Sequence, residues 1–96
     1  MNIEKIINIE DCFDGSYIRE FVFNKDITYD FVNMIKKDGE LYLYDKFPRP
    51  FFKIDIIEKC LIKGIIGNKS LKIHFYKQSD NTFNYIINKL TRKEAN

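Results

Sequence analysis

Strict alternation of apolar and polar residues between positions 40 and 77 limits this chain more than any other feature. In "ELYLYDKF" (40–47), Leu41 and Leu43 alternate with Tyr42, Tyr44 and Lys46. In "FFKIDII" (51–57), Phe52, Ile54 and Ile56 alternate with Phe51, Lys53 and Asp55. In "LKIHFYK" (71–77), Leu71, Ile73 and Phe75 alternate with Lys72, His74 and Tyr76. Between the last two runs, "CLIKGII" (60–66) is apolar apart from Lys63 and Gly64. Successive strand residues point to opposite faces, so a period of two marks a strand buried on one side. "YIREFVFN" (17–24), rich in aromatic and β-branched types, adds a strand before these four.

The connections set the register. "GNKS" (67–70) reads as a four-residue hairpin loop that pairs Ile66 with Leu71, Gly64 with Ile73 and Ile62 with Phe75. For the hairpin before it, two solutions fit. A three-residue loop Ile57-Glu58-Lys59 puts Cys60 and Ile62 in the core; an even count puts Leu61 and Ile65 there. "FPRP" (47–50) reads as a stiff corner with Arg49 pointing outward, because proline cannot donate to a strand ladder and holds its predecessor extended.

Two helices are predicted. Thr28 caps the first, Asp30 lies in its first turn, and Ile27 and Val32 have the spacing of a hydrophobic staple. Ile27, Phe31, Met34 and Ile35 share one face, Lys36 and Lys37 fall in the last turn, and Gly39 is read as a left-handed stop. The second helix covers about 80–91. Asp80 or Ser79 is its cap, and Phe83, Ile86, Ile87 and Leu90 form its stripe. "IEKIINIE" near the start fits a short helix as well as an edge strand, and "DCFDGS" is a turn. Residues 1–16 and 92–96 are expected to be less ordered than the rest.

The order strand, helix, four strands, helix predicts an α+β fold. It is a two-layer sandwich in which a mostly antiparallel sheet of about five strands carries both helices on one face. Ile54, Ile73, Phe75, Phe31, Ile35, Phe83, Ile87 and Leu90 are expected to share the core. The chain of 96 residues holds one such domain and is too short for two.

Sixteen basic and fourteen acidic residues leave a net charge of +2, too little to imply nucleic acid or membrane. The charge is unevenly spread: Lys59, Lys63, Lys69, Lys72 and Lys77 face only Glu58 between positions 58 and 77. No apolar run is long enough to span a bilayer, and the acids of "MNIEKIINIED" do not suit a secretion signal. The cytoplasm is therefore the expected compartment, with Cys12 and Cys60 unpaired. Abundant Ile, Lys and Asn, all with AT-rich codons, point to a bacterial genome of that composition.

Catalytic signals are weak. The only histidine, His74, has no nucleophile or carboxylate in a recognisable relation to it and reads as an ordinary surface residue. One His, two distant Cys and scattered acids make no metal set, and "EDCFDG" lacks the ligand spacing of a calcium loop. "GIIGNKS" has neither the Gly-Lys pair nor the following helix of a phosphate loop. No enzyme activity, metal or cofactor is expected.

What remains is the sheet face the helices leave open. It is expected to carry Tyr42, Tyr44, Arg49 at its corner, Phe51, Lys53, Lys63, Lys72, His74 and Tyr76, with Tyr76 and Phe51 near its centre. Tyr and Lys are common on solvated sheet faces, and this is the plain alternative to a site. Read as a site, the face predicts a non-catalytic interaction module binding a protein partner or a second copy of itself. The alternative is weak binding of single-stranded nucleic acid, whose bases stack on aromatics while lysines neutralise phosphates.

Overall fold

A computed structural model describes residues 1–92 of the chain. The elements, in chain order, are β1 (Ile3–Asp11), β2 (Tyr17–Phe23), α1 (Tyr29–Ile35), β3 (Glu40–Tyr44), β4 (Phe51–Ile56), β5 (Cys60–Ile65), β6 (Ser70–Phe75) and α2 (Asp80–Thr91). The six strands form one sheet of order β1-β2-β6-β5-β4-β3, antiparallel at every pairing. The fold is α+β. The expected strands and helices are all present, and β1 makes six strands where about five were expected.

β1 was ambiguous for a physical reason. Its ladder with β2 slips between Ile3 and Lys5 and again between Asn8 and Glu10. Each extra residue reverses the side-chain alternation, so the period of two is lost from the sequence. Residues 3–11 form an edge strand, which settles the choice between helix and strand. Of the tail 92–96, residues 93–96 lie outside the described residues. The β1–β2 turn is closed by Asp14, whose Oδ1 accepts from Ser16 N at 2.9 Å and Ser16 Oγ at 2.6 Å. These bonds hold the Asp14 carboxyl below its ordinary pKa.

The core lies between the sheet and the helices. Phe21, Phe23, Phe52, Ile54, Ile62, Ile73 and Phe75 from the strands meet Ile35, Ile86 and Leu90 from the helices, all fully buried. Phe31 is buried as well, while Phe83 and Ile87 are half-buried and pack against the cluster. Thr28 caps α1, its hydroxyl accepting from Phe31 N at 3.1 Å, and Ser79 caps α2 through Thr82 N at 3.3 Å.

Gly39 departs from expectation. The residue in the left-handed region is Asp38, with φ 69°. Gly39 is needed for clearance instead: a Cβ there would lie 2.8 Å from Ile54 Cγ2 and 3.1 Å from the Asp55 carbonyl oxygen. Asp38 is fixed from α2, accepting from Tyr85 Oη at 3.1 Å.

The β4–β5 hairpin takes the three-residue loop, with Ile56 opposite Cys60 and Glu58 at φ 66°. Cys60 and Ile62 are therefore core residues, and Leu61 and Ile65 face away. The β5–β6 hairpin differs from its expected register by two residues, pairing Gly64 with Leu71, Ile62 with Ile73 and Cys60 with Phe75. A shift of two keeps every side chain on its face. The longer connection is held by other parts of the chain. Ile27 N donates to Asn68 O and Gly67 N to Ile27 O, at 2.7 and 2.8 Å. Ile66 N donates to Pro50 O at 2.9 Å.

The open face of the sheet

Register alone builds this face. Tyr42 of β3 lies opposite Lys53 of β4, Lys53 opposite Lys63 of β5, Lys63 opposite Lys72 of β6, and Lys72 opposite Glu20 of β2. Three lysines thus stand side by side on adjacent strands, separated by strand spacings of about 4.8 Å. A second row holds Tyr44, Phe51 and Ile65, and a third holds Asp55, Leu61, His74 and Ile18.

The lysine row has little compensation. Among the described residues the one ion pair is Arg19 with Asp11, at 3.0 Å, where β1 meets β2. Glu20 accepts from Ser70 Oγ at 2.9 Å, and Asp55 accepts from Tyr76 Oη at 3.2 Å. Like charges directly opposite one another across strands oppose folding. Glu20 opposite Lys72 and the Tyr44 ring 5.8 Å from the Lys53 ammonium offset this at the two ends of the row, and Lys63 is left between two lysines.

The stretch around the "FPRP" corner is both a turn between β3 and β4 and one wall of a concavity. Tyr44 and Phe51 stack at 4.4 Å between centroids, and Phe47 tilts against Phe51 at 5.4 Å. Phe47 remains 56% exposed. Arg49 is exposed and donates to Asn68 Oδ1, which ties the corner to the β5–β6 connection. Between this corner and the lysine row lies an open pocket of about 710 Å³, lined by Phe47, Phe51, Ile65, Lys53, Lys63 and Lys72 among others.

Every sequence-named residue except Arg49 and Tyr76 lies on a strand in one of these rows. Three placements differ from expectation. Tyr76 and Phe51 are not central: Phe51 lies opposite Ile65, whereas Tyr76 bonds Lys59 at the other end of β5. The centre belongs to the lysines. Lys46 falls in the corner, because β3 stops at Tyr44. His74 is half-buried rather than an ordinary surface residue. Its Nε2 is buried without a hydrogen-bond partner, its ring meets Tyr76 edge-on at 5.7 Å, and Leu61 and Ile18 flank it. Sequence reasoning missed Ile18, Glu20 and Val22. The signal was available in "YIREFVF", since placing Tyr17, Phe21 and Phe23 inward turns those three outward.

Cys60 and His74 lie on opposite faces of β5 and β6 and cannot act as a pair. Both cysteines are free, and Cys12 Sγ lies 3.3 Å from Glu10 Oε2. Among the described residues, no group of three His, Cys, Asp or Glu side chains could hold a metal ion, and no helix is long and apolar enough to cross a membrane.

Two groups tie stability to high pH. Burial first, and the bond to Asp55 second, push the Tyr76 phenol from 10.0 up to about 12. Burial pushes the Cys60 thiol from 9.0 up to about 12. The native state therefore holds these protons longer than the unfolded chain does. Their contribution is complete below about pH 9 and is lost as pH rises towards 12. Urea midpoints are expected to be flat up to that point and to fall beyond it. Tyr76→Phe should make the fall shallower; an unchanged profile would contradict this assignment.

Compared with protein-family models, curated proteins and solved structures, the chain finds no match.

Proposed function

We propose that this protein is a non-catalytic binding module whose working surface is the open sheet face, and that its partner is a protein segment rich in acidic and apolar side chains. The row Lys53, Lys63 and Lys72 carries this reading, because it is a cost to the fold that an anionic partner would relieve. The half-buried Leu61, Ile65, Ile18 and Val22 around it supply the apolar part of such a contact. A twofold dimer centred on the same face would bring Lys63 towards its own copy, which disfavours self-association. Two free thiols suit a reducing compartment, and we place the protein in the cytoplasm.

Single-stranded nucleic acid is the second reading, favoured by Tyr42, Tyr44 and Phe47 exposed beside the lysines. Glu20 and Asp55 on the same face count against a polyphosphate crossing it. Light scattering and fluorescence anisotropy separate the possibilities. The expected result is a monomer that binds a labelled Glu-, Leu- and Phe-containing peptide more tightly than labelled oligothymidylate at low salt. Tighter binding of the oligonucleotide would transfer the assignment to the second reading. A dimer that Leu61→Asp dissociates would make the partner a second copy. A monomer that binds neither probe would remove the proposal.

A further inference from the structure

We infer that the pocket beneath the Pro48-Arg49-Pro50 corner is a site for a small amphipathic anion, a planar aromatic group bearing one carboxylate or phosphate. The inference rests on reading the open face as a binding surface and adds a ligand class to it.

Two unlike walls carry the argument. One is apolar and largely aromatic: Phe47 and Phe51, continued by Ile65. Tyr44 stacks behind Phe51 with its ring 14° from parallel, so the wall is backed by a second aromatic layer. A flat aromatic group suits such a wall, because offset or edge contacts between rings add to simple area burial. The other wall is the lysine row. Its three lysines stand on adjacent strands across two strand spacings, about 10 Å, close enough for a single carboxylate or phosphate to engage two neighbours. The one carboxylate lining the pocket, Glu20, is held by the Ser70 hydroxyl and forms no ion pair with Lys72. The volume of about 710 Å³ falls within the range of small-molecule sites.

The site is also built before any ligand arrives. Two prolines stiffen the corner, the Arg49 guanidinium is bonded to Asn68, and the Pro50 carbonyl accepts from Ile66 N at 2.9 Å. The corner is thereby docked on the β5–β6 connection at two successive residues, Arg49 and Pro50. A wall that need not be ordered on binding costs the ligand less affinity.

Amide NMR titration tests this with four probes. 1-Naphthoate and 1-naphthyl phosphate carry both features, 1-naphthylmethanol lacks the charge, and inorganic phosphate lacks the ring. One of the two naphthyl anions should bind about tenfold or more tightly than either control, since a charge-assisted contact and an aromatic contact are both in play. The stronger of the two identifies carboxylate or phosphate as the head group. The largest shifts should fall on Ile65, Asn68 and Lys72. Phe47→Ala, on the exposed corner, and Lys63→Gln should each weaken binding several-fold with the rest of the spectrum unchanged. Equal binding of 1-naphthylmethanol, equal binding of inorganic phosphate, or shifts centred elsewhere would overturn the inference. Failure here, with the acidic peptide still shifting Leu61 and His74, would leave the wider binding face standing. The reverse result would leave the pocket and remove the protein partner.

Discussion

Phe75→Ala is expected to cost about 3–5 kcal/mol, a large part of the roughly 5–15 kcal/mol that stabilises a small domain. Phe75 is fully buried on β6, between its register partners Tyr17 of β2 and Cys60 of β5. Its ring stacks on Tyr17 at 4.8 Å and meets Phe21 at 6.3 Å and Phe83 of α2 at 5.4 Å. Truncation would open a cavity where the two layers join, and rigid aromatic neighbours on both sides limit its collapse. Phe47→Ala removes the same atoms from the exposed corner and should change stability by less than about 0.5 kcal/mol. Urea unfolding of the two variants gives the comparison. A loss under about 1 kcal/mol for Phe75→Ala would mean that the helix–sheet interface has been wrongly located.

Gly64→Ala is a subtler probe of the same interface. A Cβ there would approach Phe52 Cζ to 2.6 Å, and Phe52 is itself fully buried. Overpacking of this kind offsets the strand-forming advantage of alanine over glycine. The first glycine in "GIIGNKS" is thus explained by the volume of Phe52 and the second, Gly67, by its φ of 94°.

The strands from 40 to 77 and both helices were legible because each is amphipathic and its period survives in the sequence. β1 was not, because two slips in its ladder scramble the period and its partners lie on β2. The end of α1 was misread at Gly39 because glycine has two common uses, and only the position of Ile54 shows that clearance is the one in force. The β5–β6 register missed by two because the connection bonds to Pro50 and Ile27, which are remote in sequence. Of the candidate site, the members on β3 to β6 followed from alternation, but those on β2 were missed and the layout did not follow. That Lys53, Lys63 and Lys72 line up, and that Phe51 and Tyr76 lie far apart, depends on pairings between strands. Alternation within a strand carries no information about those pairings.

The lysine alignment leads to an expected result in which stability and binding move in opposite directions. In Lys63→Glu, the central position of the row becomes acidic between Lys53 and Lys72. Two repulsive cross-strand neighbours turn into two attractive ones, and stability should rise by about 0.5 kcal/mol at low salt, a modest gain because the side chains are solvated. Binding of the acidic peptide should weaken by about tenfold or more, since the substitution removes one favourable charge and adds an unfavourable one at the centre of the contact. Both effects should shrink as salt rises, because screening acts within about 10 Å at 0.1 M ionic strength. Lys36→Glu, just past the end of α1 and away from the open face, is the control and should leave peptide affinity unchanged. A lysine row kept only for solubility would show the gain in stability with no change in affinity. A structural role for Lys63 would show a loss of both. Only a surface held ready for an anionic partner predicts a more stable protein that binds less well, and urea midpoints and peptide anisotropy on the same samples distinguish the three.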